Sequence, residues 1–279
     1  MTVVWIDGTL VDATTARVSP FDHGLLVGDG VFETMRVYDG VPFAWSRHLA
    51  RLERSARGLG LHLPDLGSLH AAADAVLAAN SLREARVRVT VTGGISPLGS
   101  ERGEAPPTTI VAATAVRAGS PTADVVVVPW TRNERSATAG LKTISYADNV
   151  VALAYAQERG AGEAMFANTR GELCEATGSN VFVVHDGVVR TPPESSGCLL
   201  GVTRALVLEL CAALGLEHHE HATPVDALRT ADEAFLTSTV REVQPIAHVD
   251  GRALPSAPGP IAARLAAAFN DLVARTKDP

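Results

Sequence analysis

Two spacings of apolar residues run along the chain, alternation by twos and stripes at three to four, and the switches between them mark out strands and helices. Val3–Ile6, the pair Asp7-Gly8 and then Leu10-Val11 make a hairpin pattern. Gly30–Tyr38 predicts a second strand, closed by Asp39-Gly40 and resumed over 41–44. Ser46 stands where it can cap a helix whose stripe is Leu49, Leu52, Ala56 and Leu59, closing at Gly58 or Gly60. A further helix is expected over about 66–80. Residues 86–92 then alternate strictly, with Val87, Val89 and Val91 on one face and Arg86, Arg88, Thr90 and Thr92 on the other. A polar loop over 93–107 and a strand at Thr109–Ala115 complete the first third.

Residues 117–123 carry Arg, Gly, Ser and Pro without a period and are read as a linker between domains at 1–116 and 124–279. Beyond it come an apolar strand over 125–130, a helix over about 147–159 ending at Gly160, and strands near 163–167, 172–175, 180–184 and Val188–Thr191. A helix over 202–214 is followed at once by Gly215, a C-cap signal. Strands near 234–237 and 243–249 and a terminal helix at Pro260–Arg275 close the chain. The pattern predicts two α/β domains, a smaller one at the N-terminus and a larger, sheet-rich one after it.

Composition narrows the field. With 46% hydrophobic and 20% charged residues over 279 positions, the chain can bury a substantial core. No apolar run approaches the roughly 18–20 residues that span a bilayer, and the N-terminus shows no export signal. A net charge of −7 with scattered basic residues leaves no footprint for nucleic acid. Cys174, Cys198 and Cys211 are odd in number and lack C-x-x-C spacing, as expected for free thiols in the cytoplasm.

The basic residues are lopsided: 22 arginines stand against two lysines, and Lys277 sits near the end. Lys142 is therefore the one internal lysine. An amine can lose its proton and form imines, which a guanidinium cannot, so a lysine kept in an arginine-rich chain points to chemistry.

Five segments carry further candidate residues. They are Gly140-Leu141-Lys142-Thr143-Ile144-Ser145-Tyr146; Glu172-Leu173-Cys174-Glu175-Ala176-Thr177-Gly178-Ser179-Asn180; Gly201-Val202-Thr203-Arg204 with His48-Leu49-Ala50-Arg51-Leu52; Thr237-Ser238-Thr239-Val240; and His23-Gly24-Leu25-Leu26-Val27-Gly28-Asp29-Gly30-Val31-Phe32-Glu33-Thr34. Gly201 opens a predicted helix, so the N–H groups of Val202 and Thr203 and the helix dipole face an anion. The G-x-G of the last segment lacks the third glycine and the βαβ unit of a nucleotide loop. His218-His219-Glu220-His221 has no distant partner and reads as a surface run rather than a metal site.

Together, in order and spacing, these segments resemble the class IV aminotransferase family, the fold-type-IV pyridoxal-phosphate enzymes. That family includes D-amino-acid and branched-chain aminotransferases and aminodeoxychorismate lyase. The resemblance covers nearly the whole chain. It implies that Lys142 forms the Schiff base with pyridoxal 5′-phosphate and shuttles the Cα proton. It also implies that Tyr146 bonds the cofactor's phenolic oxygen and that Glu175 keeps the pyridine nitrogen protonated. Arg51, Val202, Thr203 and Thr239 would hold the phosphate, Phe32, Arg88 and Val240 would face the substrate, and the segment from His23 to Thr34 would be the strand that lines the substrate side of the cleft. Cys174, beside Glu175, is expected to pack rather than react. A homodimer is implied, with the segments around 23–27 and 93–103 at its interface.

The motifs specify the cofactor better than the substrate. The branched-chain type usually has glycine where this chain has Thr34. The D-amino-acid type in its best-known form has a tyrosine in place of Phe32, and an arginine and a histidine in the loop where this chain has Ser96-Pro97-Leu98-Gly99-Ser100. Arg88, on the polar face of its strand, is the expected carboxylate ligand, with an ion pair inside the fold as its other possible role. The reading is an aminotransferase acting on amino acids, D-configured ones preferred, and 2-oxo acids. A lyase releasing pyruvate from aminodeoxychorismate is the alternative, and a cofactor-binding homologue without activity the remote one.

Overall fold

The computed structural model of the chain describes residues 2–116 and 119–279. Residues 117 and 118 of the expected linker lie outside the described residues, and its last residue, Ala123, already belongs to a strand. The chain divides into two compact units, neither of them one continuous stretch. The first comprises Met1–Arg117, Leu141–Tyr146 and Thr276–Pro279, and the second Ala118–Gly140 and Ala147–Arg275.

The first unit contains β1 (Val3–Ile6), β2 (Thr9–Asp12), α1 (His23–Val27), β3 (Gly30–Tyr38), β4 (Val41–Pro42), α2 (Trp45–Leu59), α3 (Leu66–Ala79), β5 (Ala85–Thr92) and β6 (Thr109–Ala115). Its six strands run in the order β2-β1-β6-β5-β3-β4, each antiparallel to its neighbour. The alternation in β5 sets the layers. Val87, Val89 and Val91 are fully buried and share a core with Val31, Met35 and Val37 of β3 and the stripes of α2 and α3. Each such valine contributes about 1.5–2 kcal/mol of transfer free energy. Arg86 and Arg88 stand on the other face of the sheet.

Two expectations in this unit are corrected. The segment from His23 is not all strand: His23–Val27 is a short helix, capped by the Asp22 carboxylate accepting from the Gly24 N–H and closed by Gly28 at φ 71°. Five residues are too few to display a helical period. Nor does Ser46 cap α2. The cap position is Ala44, at φ 55° and with no side-chain bond. The Ser46 N–H and Oγ–H instead donate to the Asp278 carboxylate at 3.0 and 2.5 Å, and the Ala44 N–H donates to the Lys277 carbonyl at 2.7 Å. The C-terminal tail thus supplies the acceptors that the start of α2 lacks.

The second unit contains β7 (Ala123–Arg132), α4 (Ala147–Gln157), β8 (Glu163–Asn168), β9 (Leu173–Ala176), β10 (Asn180–His185), β11 (Val188–Thr191), α5 (Val202–Ala213), β12 (His218–Glu220), β13 (Glu233–Ser238), β14 (Glu242–Val249), β15 (Arg252–Ala253) and α6 (Pro260–Arg275). Its strands run β12-β11-β10-β13-β14-β7-β8-β9, with β15 alongside β14. The pairs β11–β12, β14–β7 and β7–β8 are parallel and the rest antiparallel. One face packs Met165, Leu173, Val181, Leu236 and Ile246 together. The other face sets Val126, Val128 and Phe166 against Ala152 and Ala156 of α4. Burial on both faces is why β8 and β10 read as continuous apolar runs. No helix among the described residues is long and apolar enough to cross a membrane.

Candidate active site

In the first unit, Leu141–Tyr146 lies along β3. The Phe32 N–H donates to the Lys142 carbonyl at 3.1 Å, the Ile144 N–H to the Gly30 carbonyl at 2.9 Å, and Val31 bridges Thr143. The Lys142 N–H donates to Ser55 Oγ of α2 at 3.1 Å. Backbone contacts on both sides therefore hold the lysine's main chain and leave its side chain on the polar face of the sheet. There Lys142 Nζ lies 3.4 Å from Tyr146 Oη and 4.3 Å from the Phe32 ring centre. Tyr146 meets Phe32 edge-on at 5.2 Å. Arg88 lies flat against the same ring, its Cζ 3.6 Å from the centre, and its Nε–H donates to Thr90 Oγ1 at 3.0 Å.

Four residues singled out in the sequence (Lys142, Tyr146, Phe32 and Arg88) thus meet around one aromatic ring. No carboxylate among the described residues lies within ion-pair distance of Arg88, so the structure does not bear out a role for it as an internal salt bridge. Desolvation, the main influence on Arg88, works against its charge and favours an incoming anion.

Behind this face lies a buried charge that the sequence reading passed over. Glu33 falls between Val31 and Met35 on the core side of β3 and is 0% exposed. The Arg51 Nε–H and Nη2–H donate to its two oxygens at 2.7 and 2.8 Å, and His48 Nδ1 meets Oε2 at 2.6 Å. Burial alone would raise the Glu33 carboxyl, yet Arg51 and His48 outweigh it and hold the group well below the usual range. Burial depresses His48, so it serves as a neutral donor. Removing one partner would leave an uncompensated buried charge, at a cost of about 3–5 kcal/mol. Arg51 is thereby locked in one orientation on α2, and a guanidinium bound along one edge can present another edge to a second anion. An acid at an inward strand position was the signal that could have found Glu33.

The loop after β5 is also anchored within this unit. His23 Nδ1 lies 2.8 Å from Asp29 Oδ2 and Nε2 3.0 Å from the Gly99 carbonyl. Both partners are acceptors, so the ring carries both protons, and the bond to Asp29 raises it above the ordinary histidine value. Arg102 donates twice to Asp29, at 2.7 Å each. His23 and the loop's own Arg102 thus serve as its tethers.

In the second unit, Glu175 sits on β9 opposite Phe166 of β8. The Leu199 N–H donates to its Oε2 at 2.9 Å and Arg132 Nε lies 3.4 Å from Oε1. Neither partner was identified in the sequence, where nothing local marks them. Cys174 is buried and its thiol is raised by burial, in keeping with a packing role.

Gly201 precedes α5 and no side chain caps the helix, whose first residues Val202 and Thr203 are buried. A Cβ at Gly201 would lie 2.0 Å from Asn180 Oδ1, so glycine is required there. Asn180 pairs with Thr237 across β10 and β13, which brings the start of α5 beside the strand that ends in Ser238 and leads to Thr239 and Val240. The Thr237 and Ser179 hydroxyls here are buried without a hydrogen bond. An uncapped helix start flanked by unsatisfied hydroxyls suits a phosphate, and the residues present fit pyridoxal phosphate. His218–Glu220 forms the edge strand β12, with Glu220 bound to Arg204.

Residues 30–249 match the family model described as amino-transferase class IV. A putative branched-chain-amino-acid aminotransferase of Methanocaldococcus jannaschii is 36% identical over 98% of this chain and 96% of its own. A D-alanine aminotransferase of Bacillus licheniformis is 32% identical over 97% and 96%. The crystal structure of a branched-chain aminotransferase from Thermoproteus uzoniensis, solved with norvaline, superposes with a TM-score of 0.91 at 31% identity, over 98% of this chain and 94% of that one. With the family model, the fold and these relatives in agreement, the chain belongs to the class IV aminotransferases, the pyridoxal-phosphate-dependent transaminases of fold type IV.

Proposed function

We propose that this enzyme transfers an amino group from an amino acid, D-configured donors being preferred, to a 2-oxo acid. When bound, pyridoxal phosphate supplies a protonated ring that draws electrons from the substrate's Cα. Lys142 holds the cofactor through Nζ and, once displaced by the donor's amine, carries the Cα proton. Tyr146 orients the phenolic oxygen and Glu175 holds the proton at the ring nitrogen. Arg51, the N–H groups of Val202 and Thr203, and the Thr239 hydroxyl hold the phosphate. Phe32 and Val240 flank the substrate, and Arg88 takes its carboxylate.

The observation that carries this reading is the grouping of Lys142, Tyr146 and Arg88 around Phe32: an amine beside a guanidinium without a carboxylate of its own. Thr34 in place of the glycine usual in the branched-chain type supports the donor class. The G-D-G-V-F-E-T stretch keeps the aminodeoxychorismate lyase as the second reading, and retention of both Lys142 and Glu175 argues against an inactive homologue. Three free, buried cysteines support a cytoplasmic location.

A half-reaction tests the proposal. D-Alanine or D-glutamate alone should bleach the holoenzyme's visible band, and pyruvate or 2-oxoglutarate should restore it. A charge-assisted contact with Arg88 is worth about 1.5–3 kcal/mol, so Arg88→Ala should lower kcat/KM for the donor roughly 10–150-fold with the cofactor still bound. Response to L-amino acids alone would overturn the handedness. No response to either hand, with pyruvate released from aminodeoxychorismate, would favour the lyase.

The enzyme is also proposed to be a homodimer. Phe21, Leu25, Val27, Ile95 and Leu98 are exposed, and the segments bearing them are bonded together, Ser96 N–H to the Phe21 carbonyl and His23 N–H to the Gly94 carbonyl. Such a contiguous apolar surface suits a second copy. Light scattering should give twice the chain mass at assay concentrations, and an active monomer would refute the dimer.

A further inference from the structure

The Glu175 carboxylate is held from two sides inside the second unit, and the side made by Arg132 is built with care. Arg132 ends β7 where the ladder to β8 slips: Val127 pairs with Met165, yet Thr131 pairs with Ala167. The ladder from β8 to β9 slips at the same level, between Phe166, which faces Glu175, and Ala167. Irregularities of this kind re-aim side chains. Here they bring an arginine of β7 across β8 to a glutamate of β9.

The guanidinium is fixed by more than its ion pair. Its Cζ lies 4.3 Å from the centre of the Phe166 ring, the residue directly opposite Glu175, so the three side chains share one face of the sheet. Its Nη2–H donates to Asn149 Oδ1, and the buried Asn149 in turn donates to the Thr177 carbonyl at 2.6 Å. Its Nε–H forms no hydrogen bond and lies 3.4 Å from Glu175 Oε1. Cys174 and Cys198 are further titratable groups beside Glu175. Burial raises both thiols, Cys198 to about 11, and they stay neutral.

We infer that Arg132 is a positioning residue for Glu175, keeping its carboxylate ionised and in one orientation so that the shared proton stays on the cofactor's ring nitrogen. This rests on Glu175 being the partner of that nitrogen. The proton has two resting places, the ring nitrogen beside a carboxylate or the carboxyl beside a neutral ring. A guanidinium against Glu175 would favour the first, because it attracts the ionised carboxylate and gains little from the neutral carboxyl. Asn149 and Phe166 hold the guanidinium where it can do so.

The test reads the ring nitrogen directly. The holoenzyme is reconstituted with pyridoxal phosphate labelled with 15N in the ring, and its nitrogen resonance is compared in wild type, Arg132→Met, Arg132→Lys and Asn149→Ala. Wild type and Arg132→Lys should show a pyridinium resonance. Arg132→Met should move toward neutral pyridine, and Asn149→Ala should move the same way by less. Arg132→Met should also lose roughly tenfold or more in kcat with KM within about twofold, and this loss should vanish in a Glu175→Gln background, because coupled residues are not additive. An unchanged resonance in Arg132→Met, or a kcat loss that multiplies with that of Glu175→Gln, overturns the inference. If Arg132→Met does not fold, an unchanged resonance in Asn149→Ala overturns it. A wild-type enzyme whose borohydride-fixed adduct is not on Lys142 would instead refute the assignment of the site, a separate failure.

Discussion

Lys142→Ala is expected to leave a folded protein whose transamination is slower by about 10⁴-fold or more, because the substitution removes the amine proposed as both covalent attachment and proton carrier. The fold survives because the contacts that seat this segment are made by its main chain. The Lys142 N–H meets Ser55 Oγ, its carbonyl accepts from the Phe32 N–H, and the Thr143 and Ile144 backbone continues along β3. Lys277 cannot take over. It lies in the tail, its carbonyl bound by the Ala44 N–H and its Nζ 5.8 Å from the Tyr38 ring. The measurements are kcat, the melting temperature and a peptide map after borohydride. Wild type should be yellow, lose its visible band on reduction and carry the adduct on Lys142. The alanine variant should melt within a few degrees of wild type and carry no adduct. A borohydride-fixed adduct that persists in the variant would move the site to another amine.

Glu175→Gln keeps the cofactor bound and lowers kcat by about 10²–10³-fold, or roughly 3–4 kcal/mol of transition-state stabilisation. The amide has nearly the shape of the carboxylate and still accepts the Leu199 N–H through its oxygen, so binding persists. What it lacks is the negative charge proposed to keep a proton on the ring nitrogen, and without that proton the ring would withdraw electrons poorly. The loss should fall on kcat rather than KM, since the interaction grows as charge develops at Cα. Steady-state kinetics on reconstituted protein, with cofactor content checked by absorbance after alkaline release, decides the matter. A variant within about twofold of wild type would show that Glu175 has another role.

What the sequence determined by itself was whatever depends on neighbours along the chain. The alternation in β5 places three valines inward and two arginines outward because side chains of a strand point to opposite faces whatever the strand pairs with. The bounds of β3, β6, β11 and α6 match the reading because turn residues, glycines and a first-turn proline act locally. The proposed cofactor lysine was singled out for the same reason: its segment and those around Glu175, Gly201 and Thr239 are short and contiguous.

Tertiary structure alone decided the partners. Glu33 becomes an anchor only when α2 packs on β3 and brings Arg51 to it from 18 positions away. The start of α2 is satisfied by Asp278, 232 positions distant, and not by the adjacent Ser46. Arg132 gained its bearing on Glu175 from two slipped ladders, and Arg88 lies against the Phe32 ring with no carboxylate among the described residues within ion-pair distance. Local periodicity records which way a side chain points. It carries no record of what arrives there, because the energy of a buried charge pair depends on distances that are set only when the sheets and helices have closed on one another.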